Sequence, residues 1–415
     1  MRKSIKMIFV SAFAGTAEDD VYTNQEVKMI SKFPLIMRRY NFLLAMGILL
    51  LSISCSKSIE ITHQGERKVN RMVAMLDSVI IDADSTSGRG NFFMQDSLIY
   101  FADSYYMTIF QYDFASASCR KCYFGKGQGP DELSSFIYAY PFKGKNGECF
   151  MMDSSLGMYT YKNGEYSLAY KGRLDFDWGH VSKNDYESPS VYNLMEMTDF
   201  GIDLTYINDS LILCPVSLVN RNLEEISKER YEKGHIFAEL NTGNMKVERV
   251  FGHFPEVYQK KPTPFFEFFQ YAMHSDTLYV NHAVDSLIYV YKYPDTLLYT
   301  IGYEALGVNR NYTIGYNMEM SDFKSDIQVV GANSGLLYIP ESRLLLRTAL
   351  KDFKSRQVNM QAYLDNDLVL ETDMPAFFKL LGFWDGDFYG VKMLPGEDES
   401  GKIHFVFYRF KIVNI

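Results

Sequence analysis

The chain is short of the residues and patterns that announce chemistry. It has 2 Trp and 5 Cys in 415 residues. A net charge of −9 argues against a sequence-independent nucleic-acid binder, which needs a basic face. Its seven histidines form no HExxH or H-x-H pattern. There is no GxSxG elbow and no GxxxxGK[ST] phosphate loop, and no acidic cluster has EF-hand spacing. The expectation is therefore no metal and no cofactor. Cys119-Arg120-Lys121-Cys122 is a lone CxxC, and a zinc ribbon needs a second pair. A thioredoxin-type pair sits at a helix N-terminus. This one reads as a strand entering a glycine turn, where positions three apart face opposite ways, so it is read as structural.

What the chain has is aromatic side chains: 31 Tyr and 31 Phe, in a 15% aromatic share that leans to β. With 47% hydrophobic and 22% charged residues it is neither disordered, collagen-like nor a multi-span membrane protein. One element recurs, a polar turn followed by an apolar and aromatic strand. It begins at Asp96, Glu148, Asp209, Asp276, Ser334 and Asp385, at intervals averaging about 58 residues. A second strand often follows, as at Thr108–Asp113, Gly157–Lys162 and Ser286–Tyr291, and Asn163-Gly164 and Asn241–Asn244 supply hairpin turns. The fold expected is all-β: a six-bladed propeller of four-stranded antiparallel blades. The alternating stretch Ile403–Ile412 is expected to close the ring with Val79-Ile80-Ile81. The charged stretch Leu223–Lys233 reads as a short surface helix, and Pro262–Tyr271 as a packed strand or an aromatic edge.

The start of the chain reads as an address. Met37–Cys55 holds two arginines, an apolar run of about a dozen residues, small residues and a cysteine. The run is shorter than the roughly 20 residues that span a bilayer. Ser52-Ile53-Ser54-Cys55 is similar to a bacterial lipobox, with Cys55 as the lipid attachment and Ser52 where Leu is usual. The organisation expected is an upstream extension over 1–36, a signal peptide over 37–54, a linker over 55–70 and one propeller domain over 71–415, with translation beginning at Met37. No acidic run follows Cys55, so the periplasmic face of the outer membrane is expected over the cell surface.

Between the first two expected blades lies Tyr123-Phe124-Gly125-Lys126-Gly127-Gln128-Gly129-Pro130-Asp131-Glu132-Leu133. With Phe254–Tyr258, the tail Leu394–Asp398 and the lipobox, this GxGxGPxE segment resembles the six-bladed β-propeller lipoproteins of Bacteroidetes, a TolB-like group. The resemblance implies a fold and an address, and carries no activity. Physically, Gly125, Gly127 and Gly129 permit turns and close backbone approach, Pro130 fixes φ, and Glu132 can accept from loop amides. The segment is read as a structural inter-blade turn.

Asp175-Phe176-Asp177-Trp178-Gly179-His180 breaks the strand rhythm. Asp175, Asp177, Trp178 and His180 are the candidate ligand-binding residues, because an aromatic ring beside carboxylates can hold a sugar. The simpler reading is a loop anchored by a buried Trp. The function expected is binding rather than transformation, with an envelope protein or a carbohydrate as partner, the membrane reached through the lipid, and no nucleic acid. The alternative is a glycan-active hydrolase or lyase with carboxylates in the channel.

Overall fold

Antiparallel hairpins dominate because strands alternate apolar and polar residues and are divided by short turns with left-handed residues. Such turns hold Asp96 (φ 53°), Ser275 (φ 55°), Arg343 (φ 55°) and Asp385 (φ 49°), each between the first two strands of its blade. A computed structural model describes residues 62–129, 131–133, 138–140, 148–153, 155–162, 168–177, 185–195, 204–219, 227–392, 396–397 and 402–414. The strands form six sheets, the blades of a six-bladed β-propeller.

Blade one is β2 (Gly90–Gln95), β3 (Leu98–Asp103), β4 (Thr108–Asp113) and β5 (Ser118–Tyr123). Blade two is β6 (Tyr138–Tyr140), β7 (Glu148–Met152), β8 (Gly157–Lys162) and β9 (Ala169–Arg173). Blade three is β10 (Tyr192–Leu194), β12 (Leu211–Leu218), β13 (His235–Asn241) and β14 (Lys246–His253), with the short β11 (Thr205–Tyr206) also on β12. Blade four is β15 (Phe269–His274), β16 (Thr277–His282), β17 (Ile288–Lys292) and β18 (Thr296–Ile301). Blade five is β19 (Ala332–Ile339), β20 (Leu344–Leu350), β21 (Val358–Leu364) and β22 (Asp367–Met374).

Blade six mixes the two chain ends. β23 (Phe378–Trp384), β24 (Asp387–Lys392) and β26 (Ile403–Asn414) come from the C-terminal side, and β1 (Arg71–Asp82) is their outermost partner. The register sets Val79, Ile80 and Ile81 opposite Phe407, Val406 and Phe405, the closure read from the sequence. The first strands of blades four and five, five and six, and six and one touch one another, which places them innermost.

The core lies between blades rather than within one. At the seam of blades six and one, the Phe405 ring stands 4.7 Å from Phe92 and 4.9 Å from Phe101, and Phe92 stands 5.8 Å from Phe407. All four are buried. Polar groups fasten blades four and five. The fully buried Arg347 donates to Ser286 O at 2.6 Å and, through Nε, to Gln361 Oε1 at 3.0 Å. The Asn333 amide donates to the His282 and Asp285 carbonyls, both at 2.6 Å.

Each outermost strand carries one extra residue against its neighbour: Arg120 in β5, Lys171 in β9, Glu248 in β14, Leu298 in β18, Val369 in β22 and Leu76 in β1. Bulges of this kind twist an edge away from further pairing. The chain before β1 then straps two of these edges. Gln64 N–H donates to Thr300 O at 2.7 Å on blade four, and Lys68 N–H to Leu368 O at 2.8 Å on blade five. Gly65 sits at φ 87°, and a Cβ there would lie 2.0 Å from Asn366 O, so the strap needs glycine at that point.

Two sequence readings are corrected. Five of the six recurring segments mark second strands, but Ser334–Ile339 lies in β19, the first strand of blade five. The second strand there, Leu344–Leu350, follows an equally polar turn, so the pattern is ambiguous by one hairpin. The helix, Lys228–Lys233, is the amphipathic surface helix read from the sequence: Lys228, Glu229, Glu232 and Lys233 are exposed, while Tyr231 is fully buried and stacks 5.6 Å from Tyr258, and Arg230 pairs with Glu267 at 2.7 Å. In the CxxC, the bulge at Arg120 sets Cys119 opposite Tyr112 and Cys122 opposite Phe110, two positions apart. The bulge interrupts the plain alternation that the sequence reading assumed for this strand. The Pro262–Tyr271 stretch is packed, with Phe266 and Phe269 buried.

Closure by β26 makes a direct prediction. A chain ending at Lys402 loses the partner of both β1 and β24, and with it Phe405 and Phe407. Its thermal melt, followed by circular dichroism, is expected to lose the single sigmoidal step. An unchanged cooperative melt refutes the closure.

Candidate functional site

Antiparallel alternation sends the loops between second and third strands, and the links from one blade to the next, to the same face of the ring. In blades one, two and four this second-to-third loop is held by a buried aspartate. Asp103 accepts from the Tyr105 and Tyr106 amides, both at 2.9 Å. Asp153 accepts from the Ser155 and Gly157 amides, both at 2.8 Å. Asp285 accepts from the Leu287 amide at 3.1 Å and the Tyr289 hydroxyl at 2.7 Å. Here short polar side chains close local turns.

The link between blades one and two is the glycine segment. It folds back on itself, with Gly127 N–H donating to Leu133 O at 3.1 Å and Leu133 N–H to Gly125 O at 3.0 Å. The exposed Glu132 carboxylate folds back against the segment and accepts from Gly129 N–H at 2.8 Å. A Cβ on Gly127 would stand 1.9 Å from that carboxylate, so close approach requires glycine there. Gly125 has open space around it. Pro130 lies outside the described residues. Asp131 pins the segment to blade two by accepting from Leu168 N–H at 3.2 Å.

Between this segment and blade two is a cavity of about 370 Å³, lined by Gly127, Gln128, Gly129, Glu132, Tyr159 and Tyr170 among others. The Tyr159 and Tyr170 rings lie 5.2 Å apart, and Tyr170 is 60% exposed. Tyr159 donates its hydroxyl to Asp153 at 3.0 Å, and burial followed by that carboxylate raises its pKa. Nearby on the loop face, Lys126 Nζ sits 5.4 Å from the exposed Tyr105 ring, which meets Tyr106 edge-on at 5.1 Å. Open aromatic faces, a carboxylate and loop amides can together receive a ligand with both apolar and hydroxyl surfaces.

Of the residues singled out in the sequence, Asp175 and Asp177 fall elsewhere. Asp175 bridges to Lys246, with its N–H donating to Met245 O at 2.8 Å and its carboxylate accepting from Asp177 N–H at 2.7 Å. Both aspartates are exposed, beside the fully buried Phe176. They dock the link after blade two onto the outer strand of blade three. Trp178 and His180, like Cys55, lie outside the described residues. The tyrosine cavity was missed because its lining comes from separate segments of ordinary strand and turn. Its only linear signal was the glycine segment.

The described histidines do not gather into one cluster. His274 pairs with Thr277 and His282 with Phe269, so they end opposite ends of one hairpin. His235 and His253 do meet, ring centroids 4.7 Å apart, but each Nδ1 lies against a main-chain carbonyl, Gly252 O at 3.2 Å and Gly234 O at 3.3 Å. Among the described residues, no three His, Cys, Asp or Glu side chains are placed to share a metal ion. The described first strands β2, β6, β10, β15, β19 and β23 carry no Asp or Glu, so they supply no carboxylate pair to the ring centre.

The chain is similar in fold to a member of the DUF4221 family from Bacteroides vulgatus, with 13% identity, 84% of this chain and 100% of that chain covered, and a TM-score of 0.64. That likeness shows a shared fold and nothing of activity. A Bacteroides fragilis protein (11% identity, 85% and 99% covered, TM-score 0.47) and a protein of unknown function from Bacteroides caccae (9% identity, 71% and 82% covered, TM-score 0.37) are too distant to argue from. No family model and no curated protein matches the chain.

One buried group makes stability depend on pH. His282 is fully buried among the Tyr258, Phe269 and Tyr289 rings, and neither ring nitrogen has a hydrogen-bond partner. Burial pushes its pKa down from 6.5 to about 3. The unfolded chain takes up that proton first, so the stability is complete above pH 6.5 and is lost as pH falls towards 3. The expected loss is about 1.4 kcal/mol per pH unit within that window. Urea titrations at pH 7 and pH 5 on the parent and on His282→Phe measure it. Equal pH slopes in the two proteins would refute the assignment.

Proposed function

We propose that the protein is an exported, lipid-anchored binding module of the cell envelope whose propeller receives a carbohydrate in the cavity between blades one and two. The observation that carries this reading is the open Tyr170 face beside Tyr159, Glu132 and the glycine-segment amides in a volume of about 370 Å³. Sugar rings offer an apolar face to aromatics and hydroxyls to carboxylates and amides. A hydrolase would need a second carboxylate at about 5 or 6.5–9.5 Å from the first. Glu132 is the sole acid among the described residues that line the cavity, and it already accepts from a loop amide. That favours binding over bond cleavage.

A panel of envelope and dietary glycans, read by thermal shift and then calorimetry, tests the site. One glycan class is expected to bind, and Tyr170→Ala to weaken it at least about tenfold, the scale of 1.4 kcal/mol, with an unchanged melting temperature in the absence of glycan. Binding indifferent to Tyr170→Ala moves the ligand elsewhere. A protein recovered instead by pulldown from native membranes supports the envelope-partner reading.

The anchor rests on Ser52-Ile53-Ser54-Cys55, and the signal before it on Met37–Leu51. The acylated chain is read as facing the periplasm from the outer membrane. Cys55→Ala is expected to move the protein from the membrane fraction to the soluble periplasmic fraction. Retention of the variant in outer-membrane vesicles would refute lipidation at Cys55.

A further inference from the structure

We propose that the ligand of the cavity between blades one and two is a carbohydrate bearing a free amino group. The inference rests on the carbohydrate reading of that cavity and adds the charge its ligand carries. Glu132 decides it. Its carboxylate accepts from Gly129 N–H at 2.8 Å, and it has no ion pair among the described residues. A carboxylate has about four acceptor positions, so one amide leaves most of it to water. No Lys, Arg or His is among the described residues that line the cavity. A ligand seated there displaces that water. A neutral ligand leaves a charge without a partner, which costs free energy, and an ammonium supplies the partner.

The two tyrosines favour the same charge. A cation is attracted to the face of an aromatic ring. The Tyr159 and Tyr170 rings lie 5.2 Å apart and are inclined at 57°, so they form two walls rather than one stack. Tyr159 also donates its hydroxyl to the Asp153 carboxylate at 3.0 Å. A phenol that donates to an anion is polarised towards a more electron-rich ring, whose face holds a cation more strongly. The chain makes the same kind of contact nearby, where Lys126 Nζ sits 5.4 Å from the Tyr105 ring.

Other sugars fit less well. A uronate or a sulfated sugar would meet the Glu132 charge with no lining cation among the described residues to offset it. An N-acetylated or plain hydroxyl sugar can hydrogen-bond to Glu132 but brings no charge. A polyamine brings the charge but no hydroxyls for Gln128, a lining residue whose side-chain amide both donates and accepts.

Ligand-observed NMR and calorimetry on the full chain test the proposal in mildly acidic buffer, where sugar amines are charged. Glucosamine, galactosamine and mannosamine are each compared with their N-acetyl and their hydroxyl counterparts. At least one amino sugar is expected to bind about tenfold more tightly than both counterparts, an advantage that shrinks as salt is added. Glu132→Gln keeps an oxygen for the Gly129 N–H and removes the charge. It is expected to abolish the advantage with an unchanged melting temperature. A neutral sugar bound as tightly as its amino form, and lost in Tyr170→Ala, overturns the amine and leaves the carbohydrate reading standing. An advantage that survives both Glu132→Gln and added salt overturns it as well. Binding by none of these sugars overturns the proposal, and the glycan panel then judges the carbohydrate reading by itself. Spermidine bound through Glu132 while no sugar binds overturns it in favour of a polyamine.

Discussion

Ring closure in blade six is the constraint on which the rest depends. A propeller blade has two faces, and each is buried only by a neighbouring blade. An open row of six would leave the outer faces of blades one and six in water. Here the last strand carries Phe405 and Phe407 into the Phe92 and Phe101 cluster of blade one, while β1 pairs along nearly its whole length. Buried aromatics of this kind each cover roughly 150–250 Å², and deleting one typically costs about 3–5 kcal/mol. The two ends of the chain thus supply the seam that makes every other inter-blade surface an interior.

The seams are not alike. Blades five and six, and six and one, meet through apolar clusters. Blades four and five add a buried cation, Arg347, satisfied by main-chain carbonyls and Gln361, and an asparagine that ties two loop carbonyls of the neighbouring blade. Such networks stabilise only when their partners are in place, because an unpaired buried charge is costly. They therefore fix the relative setting of two blades more tightly than apolar packing, which tolerates sliding. The strap across the same two blades, with Tyr303 donating to Gly65 O at 2.9 Å, reinforces that setting from outside.

Much of the fold was legible because each blade repeats one physical problem: a polar turn, then a strand buried on both faces. The repeat at Asp96, Glu148, Asp209, Asp276 and Asp385 falls on second strands because those are among the most completely buried and so the most apolar. The failures share a cause. A bulge is one residue in a ladder of two strands, and its consequence for Cys119 and Cys122 depends on the partner strand's register. Ser334 misled because two polar turns lie a few residues apart and only tertiary packing decides which strand is innermost. The strap was invisible because its main-chain bonds are not reported by side-chain identity, and its side-chain pairs, such as Lys68 with Asp367, join residues about three hundred positions apart. The tyrosine cavity joins residues more than forty positions apart, and no linear pattern carries that.

The rim and the loop face answer different demands, and the sequence separates them. On the rim, side chains need only decide whether an edge stays alone, so a single charge at a bulge suffices, and an apolar bulge is tolerated where the chain's own main chain lies over it. On the loop face the demand is shape: Gly127 makes room for a carboxylate that a side chain would displace, and Asp131 and Asp153 hold the two walls of one cavity. A glycine there changes no charge and buries no area, yet it determines whether Glu132 folds back against the segment or is pushed away from it. The shape of this cavity is therefore set by backbone approach at one inter-blade link, while the rim is set by side-chain polarity and main-chain cover at the outer strands.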